Sequence, residues 1–292
     1  MTDIDIDPIS SPLPQNPVVP NLLNGDATLK FRCHSEIACF NACCKNIDIS
    51  LTPYDILRLR QYLKISSDDF LTQYTFPYEI EKDGLVGIKL RPVDQGTACR
   101  FMTEKGCNVY ADRPTACRYY PLALLSLRRQ DEYTDRNAYA LIREEHCLGH
   151  QESRSLSIEE YRQEQGLEEY DDLGRGWRQL VLKKKSSGPT VGKPTKRSLQ
   201  LFFMVCYNLD RFRQFVENPG FQQIYDLSAD LWQKIRASDI ELMLFGFQFL
   251  RQVLFNEMSI PLKSDAMEKR LARKQEREDE MLTIVNKVAS NN

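Results

Sequence analysis

Histidine is scarce in this chain, with three residues among 292, and each of the three lies within three positions of a cysteine. No apolar run approaches the roughly 20 residues that a membrane helix needs. The longest, residues 240–250, contains Glu241 and Gln248. The first twenty residues have neither the basic start nor the apolar core of a secretory signal. We therefore expect a cytoplasmic protein that does not bind membranes, in a compartment where stable disulfides are rare.

The sequence also lacks the short motifs of several enzyme classes: G-x-S-x-G, H-E-x-x-H, the phosphate-binding P-loop and G-x-G-x-x-G. The formal net charge of −2 and a pI of about 6.0 argue against a nucleic-acid surface spread over the chain. The one basic stretch, residues 183–197, has no aromatic residue among its charges, so a solvated linker fits it better. We expect no nucleic-acid partner.

Cysteine, in contrast, is concentrated. Eight of the nine cysteines lie between positions 33 and 147, and the other is Cys206. Thiols grouped with the available imidazoles indicate coordination of a soft metal, for which thiolate and imidazole are the preferred ligands. A disulfide framework is the alternative, because eight is an even number. The predicted metal ligands are Cys33, Cys39, Cys43, Cys44, Cys99, Cys107, Cys117 and Cys147.

The first four of these thiols follow the pattern Cys33-x5-Cys39-x3-Cys43-Cys44. Their spacing is wider than in common structural zinc sites and nearer to the plant-type iron–sulfur pattern C-x4-C-x2-C with a distant fourth cysteine. The spacing does not decide the metal. Because neighbouring side chains diverge, we expect one member of the pair Cys43-Cys44 to complete a first site. The other then serves a second site or is buried as a small apolar residue.

Composition and periodicity predict an α+β fold that is predominantly α. A small, irregular, cysteine-rich metal-binding domain with a short hairpin precedes a helical C-terminal region. The predicted segments are a flexible N-terminal arm (1–28), the cysteine-cluster domain (29–182), a linker (183–197), a helical region (198–258) and a charged helical tail (259–292).

Local signals predict individual elements. Thr52 is placed to cap a helix that has Pro53 at its first position and Asp55 in its first turn. A second helix is predicted to start at Ser66 or Ser67. The Asp83-Gly84 step predicts a hairpin whose second strand alternates from Val86 to Leu90. Ser238 or Asp239 is predicted to cap a long helix that ends at Phe255. Residues 158–165 and 167–182 are also predicted to be helical.

Two groups of residues resemble a known family. Around the first loop these are Phe31, Cys33, Cys39, Cys43 and Cys44. Further along they are Cys99, Phe101, Gly106, Cys107, Val109, Tyr110, Arg113, Pro114, Cys117, Arg118, Tyr120 and Pro121. Together they resemble the YkgJ-like cysteine-cluster family, also described as a zinc- or iron-chelating domain. Cys147-Leu-Gly149 is similar to a further conserved cysteine of that family. The first loop is longer here than the family's usual C-x2-C-x2-C-C.

The resemblance implies a metal-binding protein that holds an iron–sulfur cluster, the favoured cofactor, or zinc or iron ions. One alternative is a structural zinc module whose C-terminal helices bind a protein partner. Another is a protein-modifying enzyme, because one branch of the family, flagellin lysine-N-methylase, combines a similar cysteine cluster with methyl transfer. The absence of a glycine-rich loop for a nucleotide-shaped cofactor counts against that enzyme.

Other residues near the thiols have two interpretations each. Arg113 and Arg118 either neutralise a thiolate cluster or form ion pairs with carboxylates. His146 and His150, four residues apart, are either ligands or solvent-facing. Tyr110 is predicted to pack as a core aromatic that shields the site. Cys206, in an apolar helix, is predicted to lie in the core.

Overall fold

The structure is a computed structural model that describes residues 22–80, 84–129, 132–186 and 194–266, together with 268, 269 and 275. Helices dominate and the sheets are small, which confirms the predicted α+β class with mostly α content. Within these residues, no helix is both long and apolar enough to cross a membrane.

The helices vary from single turns to five turns. They are α1 (Pro53–Leu63), α2 (Ser67–Tyr74), α3 (Thr115–Tyr119), α4 (Ile158–Glu164), α5 (Leu167–Ser186), α6 (Lys196–Tyr207), α7 (Leu209–Glu217), α8 (Pro219–Gln222), α9 (Ala229–Ala237) and α10 (Asp239–Phe255). Short 3-10 helices cover Ala42–Cys44, Tyr110–Asp112 and Leu148–Gln151.

The strands form four antiparallel sheets among the described residues. The strands are β1 (Thr28–Lys30), β2 (Ser50–Leu51), β3 (Thr75–Ile80), β4 (Leu85–Leu90), β5 (Met102–Thr103), β6 (Gly106–Cys107), β7 (Leu122–Arg129), β8 (Glu132–Leu141) and β9 (Ser155–Ser157). The sheet orders are β1-β9, β2-β4-β3, β5-β6 and β7-β8.

Contacts divide the described chain into two compact units, each built from two separate stretches. The first unit contains the described residues up to Cys43 and Tyr119–Gln165. The second contains Cys44–Arg118 and the described residues from Gly166 onward. Along the sequence, the chain first passes from the first unit to the second at the peptide bond between Cys43 and Cys44. The domain boundaries predicted from composition stay predictions.

The first unit has a small aromatic core around Phe31, which is 4% exposed. The ring of Phe31 contacts Tyr120, Tyr161 and His150 at centroid distances of 6.4, 6.1 and 5.3 Å. Strand β1 pairs with β9 through Leu29 and Leu156, which fixes the chain just before the cysteine loop. The hairpin β7-β8 was not predicted from the sequence.

The predicted start of α1 is confirmed. Thr52 accepts a hydrogen bond from the amide of Asp55, and the Asp55 carboxylate accepts one from the amide of Thr52, so the two form a capping box. Ser66 caps α2 in a similar way. The predicted hairpin is also confirmed, because β3 and β4 are antiparallel with Thr75 opposite Leu90. Gly84 has a φ of +76°, and Asp83 lies outside the described residues.

The helical C-terminal part of the second unit packs around α10, which starts after the Ser238 cap and ends at Phe255, as predicted. Its Phe249 contacts Phe212 at a centroid distance of 6.0 Å and Phe221 at 5.8 Å. Cys206 is 4% exposed on α6, which confirms its place in the core.

Helix α5 continues to Ser186 and so includes the first four residues of the predicted linker, 183–197. Thr195 caps α6 near the end of that stretch. The remainder, residues 187–193, lies outside the described residues, as do residues 1–21 of the predicted arm and most of the predicted tail.

One buried carboxylate joins the starts of two helices in the second unit. Asp55, in the first turn of α1, is fully buried. Its Oδ1 accepts hydrogen bonds from the amide and the hydroxyl of Thr115 at 2.8 and 2.7 Å, while its Oδ2 accepts the amide of Thr52. Thr115 is the first residue of α3, the helix that carries Cys117. Asp55 therefore satisfies N-terminal donors of both helices.

We predict that Asp55→Ala lowers the free energy of unfolding by about 3 kcal/mol, because it leaves buried donors of two helices without an acceptor. Asp69 is the matched control, since it holds the same position in α2 after the Ser66 cap but is exposed. Asp69→Ala should cost about 1 kcal/mol or less. Urea unfolding followed by circular dichroism measures both values, and equal losses would contradict the joint capping role.

Candidate metal centres

Four predicted ligands lie together in the first unit. Cys33, Cys39, Cys43 and Cys147 line one cavity of about 40 Å³. The first three come from the loop that follows β1, and Cys147 directly precedes the 3-10 helix Leu148–Gln151. Cys33 and Cys43 are exposed, whereas Cys39 and Cys147 are half-buried. We call these four cysteines the first set.

Gly149 and Asn41, which line the same cavity, allow the close packing of its wall. Gly149 approaches Phe31 so closely that a Cβ on it would lie 2.5 Å from the ring and 2.9 Å from the carbonyl oxygen of Arg32. The amide of Arg32 donates to the carbonyl of Gly149 at 3.1 Å. Asn41, between Cys39 and Cys43, adopts a φ of +64°, a left-handed conformation that asparagine tolerates well. These contacts bring the segment of Cys147 alongside the cysteine loop.

The other four predicted ligands lie in the second unit. The amide of Cys99 donates to the carbonyl of Cys44 at 2.7 Å. Cys107, in β6, is opposite Met102 of β5. Burial raises the pKa of the Cys117 thiol, and the neighbouring Cys99, Asp55 and Cys107 raise it further, whereas Arg113 lowers it. We call Cys44, Cys99, Cys107 and Cys117 the second set.

Three cysteines of the second set belong to the hydrophobic core of their unit or pack against it. Cys99 is 8% exposed and is part of that core, and Cys44 and Cys107 pack against it. Gly106 allows the tight turn before Cys107, because its φ of +118° is in a region that side chains rarely adopt. The hydroxyl of Thr103 donates to the carbonyl of Gly106 at 2.8 Å and closes this turn.

Each set has a sulfur that accepts a backbone hydrogen bond. The amide of Leu148 donates to Sγ of Cys39 at 3.3 Å, and the amide of Phe101 donates to Sγ of Cys99 at 3.4 Å. A backbone donor aimed at sulfur orients a metal-bound thiolate and tunes the metal. All nine cysteines are thiols in the structure, none in a disulfide. The donor chemistry of both sets therefore fits zinc or iron.

Comparison with known families agrees with this chemistry. Residues 32–148 match a family described as a "putative zinc- or iron-chelating domain". This segment is similar to that cysteine-cluster family. The matched segment contains all eight clustered cysteines, so both sets fall within it. No curated protein matches the chain significantly, and no solved structure does.

Within the described ranges, no three cysteine, histidine, aspartate or glutamate side chains already stand in a geometry that could hold an ion. Which of the eight cysteines bind metal stays a prediction. The two sets divide these eight predicted ligands into two groups of four.

The histidines differ in their surroundings. Nε2 of His150 lies 3.0 Å from the carbonyl of Ile142, and burial lowers the pKa of this imidazole, so it is a neutral donor beside Phe31. His146 is exposed, and its side chain lines the cavity of the first set. Its Nε2 lies 3.5 Å from Oε2 of Glu144. Of the two, only His146 is next to the first set.

Arg118 organises the loop before Cys117. Its guanidinium donates to the carbonyls of Arg113 and Ala111 and to the hydroxyl of Tyr170, and lies 4.2 Å above the Tyr170 ring. Neither interpretation made from the sequence included this role. Arg113 does act on a thiol, because it lowers the pKa of Cys117.

The prediction for Tyr110 was wrong. Tyr110 is 61% exposed, and the guanidinium of Arg113 lies 4.2 Å from its ring centre. The tyrosine starts a 3-10 turn at the surface, where a cation–π contact covers one ring face instead of core side chains.

Sequence reasoning did not single out Tyr120 as a functional residue. Its side chain lines the cavity of the first set, and its buried hydroxyl has no hydrogen bond of normal geometry. Burial raises the pKa of this hydroxyl, and the nearby Cys147 thiol and Glu144 carboxylate raise it further. A hydroxyl that keeps its proton beside Cys147 is placed to donate to a thiolate there.

We predict that Gly149→Ala loosens the first unit around the cysteine loop, because the added Cβ displaces Phe31 and the backbone of Arg32. Hydrogen–deuterium exchange of residues 31–43 should become faster by about tenfold or more, equivalent to at least ~1.4 kcal/mol of local stability. Gly25→Ala is the control, since a Cβ at Gly25 meets only ordinary contacts at 3.6 Å or more. Unchanged exchange in Gly149→Ala would contradict the close-packing argument.

We also predict that Tyr120→Phe weakens metal binding at the first set by about tenfold, the lower end of the range for an outer hydrogen-bonding partner. Competition with a chromogenic chelator measures this affinity. Tyr119→Phe is the neighbouring control, because Tyr119 is buried against Tyr139 and does not line the cavity. A similar affinity change in both variants would remove the special role of the Tyr120 hydroxyl.

Proposed function

We propose that this chain binds metal at two separate four-thiolate centres, one formed by the first set and one by the second. In this proposal the first centre holds an iron–sulfur cluster and the second holds a zinc or iron ion. The observation that carries the proposal is the cavity of the first set, in which Cys147 joins thiols of a loop that ended 104 residues earlier, at Cys43.

The arrangement of the first set supports the iron–sulfur part. Three of its cysteines lie within eleven consecutive residues, 33–43, and the fourth is distant in the sequence. Plant-type iron–sulfur sites combine three clustered cysteines with a distant fourth in the same order. Four cysteine thiolates without a carboxylate are also the usual ligands of such clusters.

A different observation favours a structural ion in the second set. Cys99 belongs to the hydrophobic core, Cys44 and Cys107 pack against it, and Cys107 and Cys117 lie on regular elements, β6 and α3. A closed site of four cysteines is typical of structural zinc, where the free energy of metal binding contributes to folding. The helical surface as a partner site and the methyl-transfer alternative stay predictions without a structural observation in their favour.

Purification without oxygen, followed by analysis of iron, zinc and acid-labile sulfide, tests the proposal. We expect iron with sulfide and broad visible absorption from the first centre, and one further metal ion from the second. Cys39→Ser should remove the iron and sulfide, Cys117→Ser should remove the other ion, and Cys206→Ser, a core thiol outside both sets, should change neither.

The outcomes separate the parts of the proposal. A colourless protein with two zinc ions would overturn the iron–sulfur assignment and leave the two centres standing. A wild-type protein that contains neither iron nor zinc, and takes up neither from solution, would overturn the function itself.

A further inference from the structure

The two sets differ in how far a molecule from solution can reach their sulfurs. In the first set Cys33 and Cys43 are exposed, and the exposed His146 lines the same cavity. In the second set no cysteine is exposed, and Cys99 is 8% accessible. An incoming ligand can therefore approach a metal bound by the first set from the solvent side.

The local backbone differs as well. Between Cys33 and Ala42 the loop of the first set is held by successive turns: Ile37 donates to His34, Phe40 to Ile37 and Ala42 to Cys39. The second set has firmer supports. Cys99 bridges to Pro92, Cys107 lies in β6, and the start of α3 is fixed by the buried Asp55. Besides its turns, the loop of the first set is tied to the segment after Cys147 by the bonds from Arg32 to Gly149 and from Leu148 to Sγ of Cys39. Exposed segments without sheet pairing open locally more readily than regular elements.

Access and local opening together permit ligand exchange. A thiolate from solution binds the metal, the thiolate of Cys33 or Cys43 leaves and takes up a proton, and the number of sulfur ligands on the metal is unchanged. No oxidant or reductant takes part in this exchange. The remaining three thiolates of the set can be replaced in later steps of the same kind.

We infer that the first set is an exchangeable centre that passes its metal to and from low-molecular-weight thiol ligands, whereas the second set retains its metal. The inference rests on the proposed function, because it requires both centres to bind metal. It assigns the chain a role in receiving or delivering metal at one centre while the other keeps the protein folded.

The adjacent cysteines provide a matched test. The full-length protein, loaded with zinc, is mixed with an excess of a chromogenic chelator, and release is followed with time, with and without glutathione. We expect two phases whose rates differ by about tenfold or more, with glutathione accelerating only the faster one. Cys43→Ser should abolish the fast phase and Cys44→Ser the slow phase, although the two positions are neighbours.

A second measurement avoids variants that fail to fold. The zinc-loaded wild-type protein is treated with N-ethylmaleimide, whose double bond adds a thiol, and the modified cysteines are identified by mass spectrometry. We expect Cys33 and Cys43 to be modified first, with release of one zinc, while Cys99 and Cys117 stay protected.

Release of both ions in a single phase, or equal modification of both sets, would overturn the exchangeable centre while the two-centre function stands. Loss of the fast phase in Cys44→Ser but not in Cys43→Ser would overturn the assignment of sets. A wild-type protein that binds no zinc and no iron would instead overturn the proposed function.

Discussion

The thiols of this chain divide into two groups at the peptide bond between Cys43 and Cys44. Cys43 and Cys44 lie in a 3-10 helix, Ala42–Cys44, where successive side chains are about 120° apart around the axis. Two adjacent sulfurs therefore point in different directions and do not readily bind one ion. The contact units divide at the same bond, with Cys43 in the first and Cys44 in the second. Cys43 then lies with Cys33, Cys39 and the distant Cys147, whereas Cys44 lies in the unit of Cys99, Cys107 and Cys117.

The second set depends on a polar interaction within an apolar core. Asp55 connects the start of α1 to the start of α3, and Cys117 lies two residues after Thr115, its hydrogen-bond partner. The carboxylate is buried, so burial raises its pKa, while the hydrogen bonds from Thr115 and Thr52 oppose that rise. A buried carboxylate persists only where donors satisfy it. The helix that carries Cys117 is therefore positioned from α1 before any metal is considered.

Local structure could be predicted wherever a capping residue or an alternating strand marks it. Thr52, Ser66 and Ser238 start the helices that they were expected to start. The hairpin β7-β8 was missed because its first strand opens with Leu122, Ala123, Leu124 and Leu125, an apolar run without alternation that does not distinguish strand from helix.

The sequence alone could not show which cysteines that are distant in the chain lie together in the fold. The adjacency of Cys43 and Cys44 predicted that they serve different sites, but spacing could not show that Cys147 completes the first group. That grouping depends on the contact of Phe31 with Gly149, which is tertiary. Tyr120 was named only as a residue of the family pattern, for the same reason: nothing in the sequence shows that its hydroxyl is buried beside Cys147.

The size of the first cavity bears on the choice between an ion and a cluster. The cavity is small, at about 40 Å³, and within the described residues no three cysteine, histidine, aspartate or glutamate side chains stand in a geometry that could hold an ion, so the ligands must shift even for a single ion. A cluster with bridging sulfides needs more room, and the loop from Cys33 to Cys43 must then move outward. That loop is held by turns and not by sheet hydrogen bonds, so it is the part of the wall that yields at least cost. The ability of this loop to move outward would thus both admit a cluster and permit ligand exchange. A rigid loop would disfavour both.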